Sequence, residues 1–151
     1  MDSRGVTLIE LLVVLGVVTL VLTTTSMASL SSFKDIGIQS DKNLLTDILL
    51  LARANAQSGK CISSTCSKGM SFGVHINEKS FILFQGESFE TRDEDGDSIY
   101  PRSSSLNTEG AKEFVFNSPD GSVKVAGTTT IQERAVYVDT YGRIGSIILW
   151  P

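Results

Sequence analysis

The sequence predicts an α+β fold in which a long N-terminal helix packs on an antiparallel β-sheet. Residues 6–26 form an apolar run that contains one ionisable side chain, Glu10. From there to residue 59 apolar residues recur at three- and four-residue spacing, and the remaining chain is divided by turn residues into short apolar or alternating runs. Helical periodicity followed by a series of strands is typical of a helix-on-sheet layer architecture.

The first apolar segment is long enough to cross a membrane. As a helix its 21 residues span about 31 Å, close to the thickness of the hydrocarbon core of a bilayer. A carboxylate in such a segment is costly in lipid, and a chain usually keeps one for a functional reason. We therefore predict a transmembrane or assembly helix over residues 6–26, with Glu10 as its functional side chain.

The helix is expected to continue over residues 27–59 as an amphipathic half. Its apolar residues fall on one face and are Leu44, Leu45, Ile48, Leu51 and Ala52. Gly59 follows the last periodic position, which is where a helix commonly ends.

Residues 60–151 are predicted to form a β-rich globular domain. The expected strands are residues 70–76, 80–85, 113–117, 128–132, 135–139 and 146–150. The first two and the last two are read as hairpins, because turn residues separate them. Residues 86–109 are polar and are expected to form a long surface loop, in which residues 98–100 pair briefly at most.

The two cysteines, Cys61 and Cys66, lie five positions apart. An apolar N-terminal segment implies export of the domain that follows it, and a closely spaced pair in an exported domain indicates a disulfide. The alternative is a pair of metal ligands. It lacks support because His75 is the only histidine and no further cysteine completes a tetrahedral site.

Composition and motifs argue against an enzyme and against a cofactor. No G-x-S-x-G elbow accompanies His75, and neither a Walker pattern nor a GxGxxG loop is present. The net charge of −4 does not favour a general nucleic-acid-binding surface, which needs a basic face.

Alternating acidic residues make a weak calcium candidate of Asp93, Asp95 and Asp97. The EF-hand pattern requires a glycine at the sixth loop position and a glutamate at the twelfth. Gly96 stands fourth and Ser104 twelfth, counted from Asp93. A solvated acidic turn is the simpler interpretation, and we predict no metal site.

The N-terminal stretch R-G-V-T-L-I-E-L-L-V-V-L resembles the prepilin signal of type IV pilins and type II secretion pseudopilins. The resemblance implies a leader of residues 1–5 and cleavage between Gly5 and Val6 by a prepilin peptidase. It also implies methylation of the new terminus at Val6, a position at which the family most often has Phe. Glu10 becomes the fifth mature residue, with a role in assembly.

The stretch L-L-L-A-R-A-N-A at residues 49–56 resembles the GspH/FimT branch of minor pilins and pseudopilins. This branch implies a structural subunit with a pilin-like fold, whose partners are other pilin subunits and the peptidase/methyltransferase. It also implies a single pass through the bacterial inner membrane, with the domain on the periplasmic side, before incorporation into a filament. Secretion system, pilus and competence apparatus are not distinguished.

Two alternatives stay open. Gly142-Arg143-Ile144-Gly145 resembles a G-R-x-R turn of DNA-binding minor pilins, with Arg143 as the DNA contact, and Arg134 and Lys124 add positive charge. The other alternative is an exported globular protein unrelated to pili, whose ordinary signal is cleaved among the small residues at 27–31.

Overall fold

The computed structural model describes residues 7–62, 69–103 and 107–148, without the side chains of residues 23–34. The chain forms two compact units, Met1–Ile36 and Gly37–Pro151. One helix, α1, spans Leu8–Ser58, so residues 37–58 of α1 belong to the second unit. The α+β class is confirmed: an N-terminal helix is combined with antiparallel sheets.

The end of α1 follows the sequence expectation at Gly59, whose φ is +61°. The N–H of Gly59 donates to the carbonyl oxygen of Ala56 at 3.2 Å, and the N–H of Lys60 donates to that of Asn55 at 3.1 Å. These two bonds are the Schellman pattern, which needs a left-handed residue just beyond the helix. Glycine adopts that conformation at the lowest cost, so the helix stops here.

Eight strands are present in the described part of the second unit. They are β1 Phe72–Ile76, β2 Ser80–Gln85, β3 Ser98–Pro101, β4 Thr108–Gly110, β5 Glu113–Phe116, β6 Gly127–Ile131, β7 Arg134–Val138 and β8 Ile144–Ile148. All six predicted strands exist: β2 has the predicted ends, and the other five have shifted ends. The last one, predicted at residues 146–150, begins two residues earlier, because its pairing with β7 begins at Ile144 opposite Val138, and residues 149–150 lie outside the described residues.

The strands form two four-stranded antiparallel sheets, and the prediction of a single sheet was wrong. The first sheet has the order β3-β2-β1-β5, and the second has the order β4-β6-β7-β8. The chain passes between the sheets three times, from β3 to β4, from β4 to β5 and from β5 to β6. At Gly110, the last residue of β4, φ is +95° and an added Cβ would lie 2.2 Å from the carbonyl oxygen of Thr128 in the neighbouring β6. Alternation along a strand identifies its buried face but not its partner strand, so the sequence alone did not reveal the division.

The expectation of one long loop over residues 86–109 was also wrong, apart from the brief pairing expected at residues 98–100, which is part of β3. This stretch contains a short 3₁₀ helix at Glu94–Gly96 and the edge strands β3 and β4. Its polar residues satisfy one another: the Asp93 side chain accepts from the N–H of Asp95 at 3.2 Å, and Arg92 Nε donates to Asp97 Oδ2 at 2.8 Å. Local polar contacts of this kind give no hydrophobic periodicity to detect.

The core of the second unit lies between one face of α1 and the inner faces of the sheets. The helix contributes Ile38, Leu45, Ile48, Leu49, Ala52 and Ala56, and the strands contribute mainly phenylalanine, valine and isoleucine. Leu51 was assigned to this face but is 41% exposed, whereas Leu49 is fully buried. The predicted apolar face is rotated around the helix axis by about one residue position relative to the observed face. A stripe with Leu49 and a stripe with Leu51 both have helical spacing, so the sequence did not separate them.

A buried ion pair joins α1 to the segment that follows β3. Arg102 Nε lies 3.3 Å from Asp41 Oδ2, with both side chains almost completely shielded from solvent. The other carboxylate oxygen of Asp41 accepts from the N–H of Ser103 at 2.9 Å, and Arg102 Nη1 donates to the carbonyl oxygen of Asn77 at 3.1 Å. The pair is therefore embedded in hydrogen bonds, the condition under which a buried charge is tolerated.

Candidate assembly helix

The predicted cleavage position, Gly5 and Val6, lies outside the described residues, as does the predicted methylation of Val6. The described chain begins with Thr7, whose carbonyl oxygen accepts from the N–H groups of Glu10 and Leu11 at 3.1 and 3.2 Å. Helical hydrogen bonding thus starts immediately after the predicted terminus.

Glu10 occupies the first turn of α1 and is exposed. A negative charge in the first turn is stabilised by the partial positive charge at a helix N-terminus. Within the described part of the chain, no side chain forms an ion pair with the Glu10 carboxylate. The geometry therefore leaves this carboxylate available to a cation that is not among those residues.

Every large apolar side chain between Leu8 and Leu22 is exposed, from 46% for Val18 to 79% for Leu8. These side chains surround the helix on all sides, with no polar face to turn toward water. A helix that is apolar all round is normally buried, in lipid or among other helices. Since fully burying one such side chain is worth about 1.5–3 kcal/mol, the surface strongly favours an apolar environment.

The polar hydroxyl within this segment is compatible with such an environment. Thr19 Oγ1 donates to the carbonyl oxygens of Leu15 and Gly16, at 3.0 and 2.9 Å. A hydroxyl bonded to its own helix backbone can enter an apolar phase without a further partner.

Across the described residues, no helix combines the length and apolar content needed to cross a membrane, and the predicted membrane span over residues 6–26 is not confirmed.

The predicted DNA contact, Arg143, lies in the turn between β7 and β8. Its Nε donates to Asp139 Oδ2 at 2.6 Å, and its backbone N–H donates to Asp139 Oδ1 at 2.8 Å. The contact with Asp139 raises the pKa of Arg143. Burial tends to raise the pKa of Asp139, but the hydrogen bonds and the charge of Arg143 outweigh it and lower that pKa.

The two supporting cations are also engaged. Lys124 Nζ lies 3.1 Å from Glu87 Oε2, and Arg134 donates a hydrogen bond to the side-chain oxygen of Gln39. Of the three cations proposed for a DNA surface, two are therefore neutralised by adjacent carboxylates. Because affinity for DNA depends on several uncompensated cations, this arrangement gives the DNA alternative no support.

The calcium candidate and the cysteines complete the predicted sites. The carboxylates of Asp93 and Asp97 are used inside their own segment, as described above, and in the described part of the chain no three acidic, histidine or cysteine side chains converge into a metal site. Cys61 is disulfide-bonded. Cys66 lies outside the described residues, so the pairing of these two cysteines stays a prediction.

Sequence reasoning missed two clusters in the second unit. One is the Asp41–Arg102 pair, and the other is a stack of His75, Phe89 and Arg92 on the outer side of the first sheet. Each joins residues on different elements, so no local pattern shows which residues meet. A weak signal was available for the first: Asp41 interrupts the apolar stripe of α1 at a core-facing position.

Comparison with known families gives one match. A family model for the prokaryotic N-terminal methylation motif covers residues 1–26. It supports a type IV pilin-like prepilin signal and points to a processed structural subunit that assembles with other pilin subunits, rather than to an enzyme. No significant match is found among curated proteins or among solved structures.

Proposed function

We propose that the chain is a minor pilin or pseudopilin of the GspH/FimT branch, a structural subunit of a type IV pilus-like or type II secretion filament. The observation that carries the proposal is the exposed apolar surface of residues 8–22, which lies within the N-terminal methylation motif matched over residues 1–26. A processed helix that is apolar on all sides can pack against the helices of other subunits.

Processing creates the group that Glu10 requires. Cleavage between Gly5 and Val6 leaves a positive amine at Val6, one helical turn before Glu10. In a filament the carboxylate neutralises the amine of a neighbouring subunit, and this fixes the axial register. A single polar position can specify register in a helical assembly, because leaving it unpaired among apolar side chains is costly.

The same surface serves before and after assembly. We propose a single pass through the bacterial inner membrane with the second unit on the periplasmic side, followed by extraction into the filament. Lipid chains and neighbouring helices both offer apolar contact, so the change of environment needs no rearrangement of the helix. Thr19 is suited to both, since its hydroxyl is already bonded within the helix.

N-terminal sequencing of the mature protein tests the processing step. The proposal requires a mature chain that starts at Val6 with a methylated amine. A start near Ser29 would instead show an ordinary export signal and would overturn the assignment to a pilus-like system.

Exchange of Glu10 for alanine tests the assembly step. We expect the Glu10→Ala chain to be cleaved at the wild-type position but to enter filaments poorly, measured by its yield in sheared or pulled-down filaments. Asp35→Ala is the matched control, because it removes an exposed carboxylate from the same unit. Equal incorporation of the two variants would remove the role assigned to Glu10.

A further inference from the structure

The outer face of the first sheet carries a small apolar cluster of its own. Along β1 the side chains of Phe72, Val74 and Ile76 belong to the main core, so Gly73 and His75 lie on the opposite face. Phe84 is paired with Gly73 across β1 and β2 and is fully buried on this outer face. An added Cβ at Gly73 would lie 2.2 Å from the Phe84 ring, so the ring fills the space that glycine leaves.

This cluster is covered by residues 86–97, which we call the strap. The ring of Phe89 stacks on the imidazole of His75, with centroids 3.8 Å apart and planes 8° from parallel. The guanidinium carbon of Arg92 lies 3.6 Å from the centroid of the same ring. Two planar groups at these distances must occupy opposite faces, so Phe89 is held between an imidazole and a guanidinium.

Two further contacts attach the strap to the sheet and close it on itself. The N–H of Phe89 donates to Glu113 Oε1 at 3.0 Å, and Glu113 is the register partner of His75 on β5. Arg92 pairs with Asp97 at 2.8 Å and also donates to the carbonyl oxygen of Phe89. The His75–Phe89 stack and the Phe89–Glu113 hydrogen bond therefore fasten the strap to β1 and β5.

We propose that the strap is a pH-sensitive latch, held over the outer face of the first sheet by the neutral His75–Phe89 stack and released when His75 takes up a proton. Release uncovers the ring of Phe84 and frees the backbone N–H of Phe89. The inference does not depend on filament assembly.

The surroundings of His75 disfavour the protonated form. Its Nδ1 atom is buried and has no hydrogen-bond partner, so a proton bound there would meet no acceptor. A charged imidazole would also lie across the Phe89 ring from the guanidinium of Arg92, and the two positive charges would repel each other. These two costs arise from geometry and apply only while the strap is closed.

The pKa of His75 is lowered accordingly. Burial is the main cause, and the positive charges of Arg92 and Lys112 act in the same direction. The carboxylate of Glu113 acts in the opposite direction without reversing the shift. Two further carboxylates, Glu78 and Glu109, line the groove beside His75 and lie outside the stack.

The sign of the pH effect follows from this direction. His75 has its ordinary pKa of about 6.5 when the strap is open and a lower pKa when it is closed, so the open state binds more protons below that value. Closure is fully favoured above about pH 6.5 and weakens as the pH falls below it. At pH 5 the closed-to-open ratio can fall by at most about 30-fold relative to pH 7.5. This limit is the factor by which the ratio of total to neutral imidazole rises over this pH range for a histidine with a pKa of about 6.5.

Hydrogen exchange of the full chain in detergent micelles tests the latch. We expect the protection of peptides within residues 86–97, corrected for the intrinsic pH dependence of exchange, to fall several-fold between pH 7.5 and pH 5. Peptides from β7 provide the internal reference and should keep their protection. Equal losses in the strap and in β7 would mean general acid destabilisation and would overturn the proposal.

His75→Phe is the matched variant, because phenylalanine can stack on Phe89 but cannot be protonated. Its strap should stay protected at both pH values, and a fall equal to that of the wild type would assign the effect to other groups. The wild-type chain supplies a second measurement that requires no variant. The imidazole titration followed by NMR should have its midpoint below pH 6.5, because the closed state disfavours the proton, and a midpoint at or above 6.5 would overturn the latch.

Discussion

The two halves of α1 follow opposite rules of burial. Residues 8–22 expose every large apolar side chain, whereas residues 38–56 bury one stripe of them in the core of the second unit. Both halves are rich in leucine and both have helical structure, so neither leucine content nor secondary structure distinguishes them. The difference is in the covering surface: the second half has it within the second unit, whereas the described residues provide none for the first half.

The carboxylates of the two halves differ in the same way. Asp41 is buried and paired with Arg102, while Glu10 is exposed and has no ion-pair partner among the described residues. The fold of the second unit already depends on Asp41. Glu10 can form an ion pair only with a cation outside the described residues.

The largest expected effect is therefore the loss of Asp41. Asp41→Ala leaves the guanidinium of Arg102 buried without a counter-ion, and removal of one partner from such a pair costs about 3–5 kcal/mol. Urea titration of the full chain in detergent, followed by circular dichroism, should show this loss in the free energy of unfolding. Glu10→Ala is the matched control and should leave that free energy unchanged within about 0.5 kcal/mol.

If Asp41→Ala and Glu10→Ala had similar effects on unfolding, the distinction between the two carboxylates would be wrong. A double variant, Asp41→Asn with Arg102→Met, refines the test. It removes both charges, so it should be less destabilised than Asp41→Ala.

A second pair of variants compares apolar side chains in the two halves. Leu49 is fully buried, and Leu49→Ala should lower the free energy of unfolding by about 3 kcal/mol, because it removes apolar contact and leaves a cavity. Leu15 is 53% exposed, and Leu15→Ala should leave the unfolding of the second unit unchanged. Its effect should appear in assembly, as a lower yield of the subunit in filaments. An equal loss of stability in both variants would contradict the comparison.

Much of the secondary structure of the second unit was predictable, because it is encoded in patterns of residues that are close in sequence. The end of α1 at Gly59 was correct, since a glycine after a periodic apolar stretch has a defined conformational role. β2 was correct to the residue, because Phe81 to Phe84 is an uninterrupted apolar run between polar residues. Turn chemistry also placed the hairpins β1–β2 and β7–β8 correctly.

The features that were not predicted depend on contacts between distant residues. The division into two sheets depends on which strands pair, and the pairing of β4 with β6, in which Gly110 lies opposite Thr129, is not visible in the sequence. The strap over residues 86–97 was read as open loop, because Phe89 is a single apolar residue among charges and its partner His75 lies on another strand. For the assembly helix, sequence and structure contribute different parts: the motif predicts the processing, and the structure shows that residues 8–22 stay uncovered.

The smallest expected effect concerns an ion pair that resembles Asp41–Arg102 only in charge. Lys124 and Glu87 lie 3.1 Å apart, but their side chains are 55% and 77% exposed. Water screens such a pair, and two flexible side chains must be ordered to form it, so Lys124→Ala should cost at most about 1 kcal/mol. The remaining effect should disappear in 1 M salt, where the screening length is about 3 Å. The loss caused by Asp41→Ala should persist at that salt concentration, because ions do not reach a pair enclosed by protein. A salt-resistant loss for Lys124→Ala would show that the pair is covered in the native protein, and that burial rather than charge sets the difference between the two.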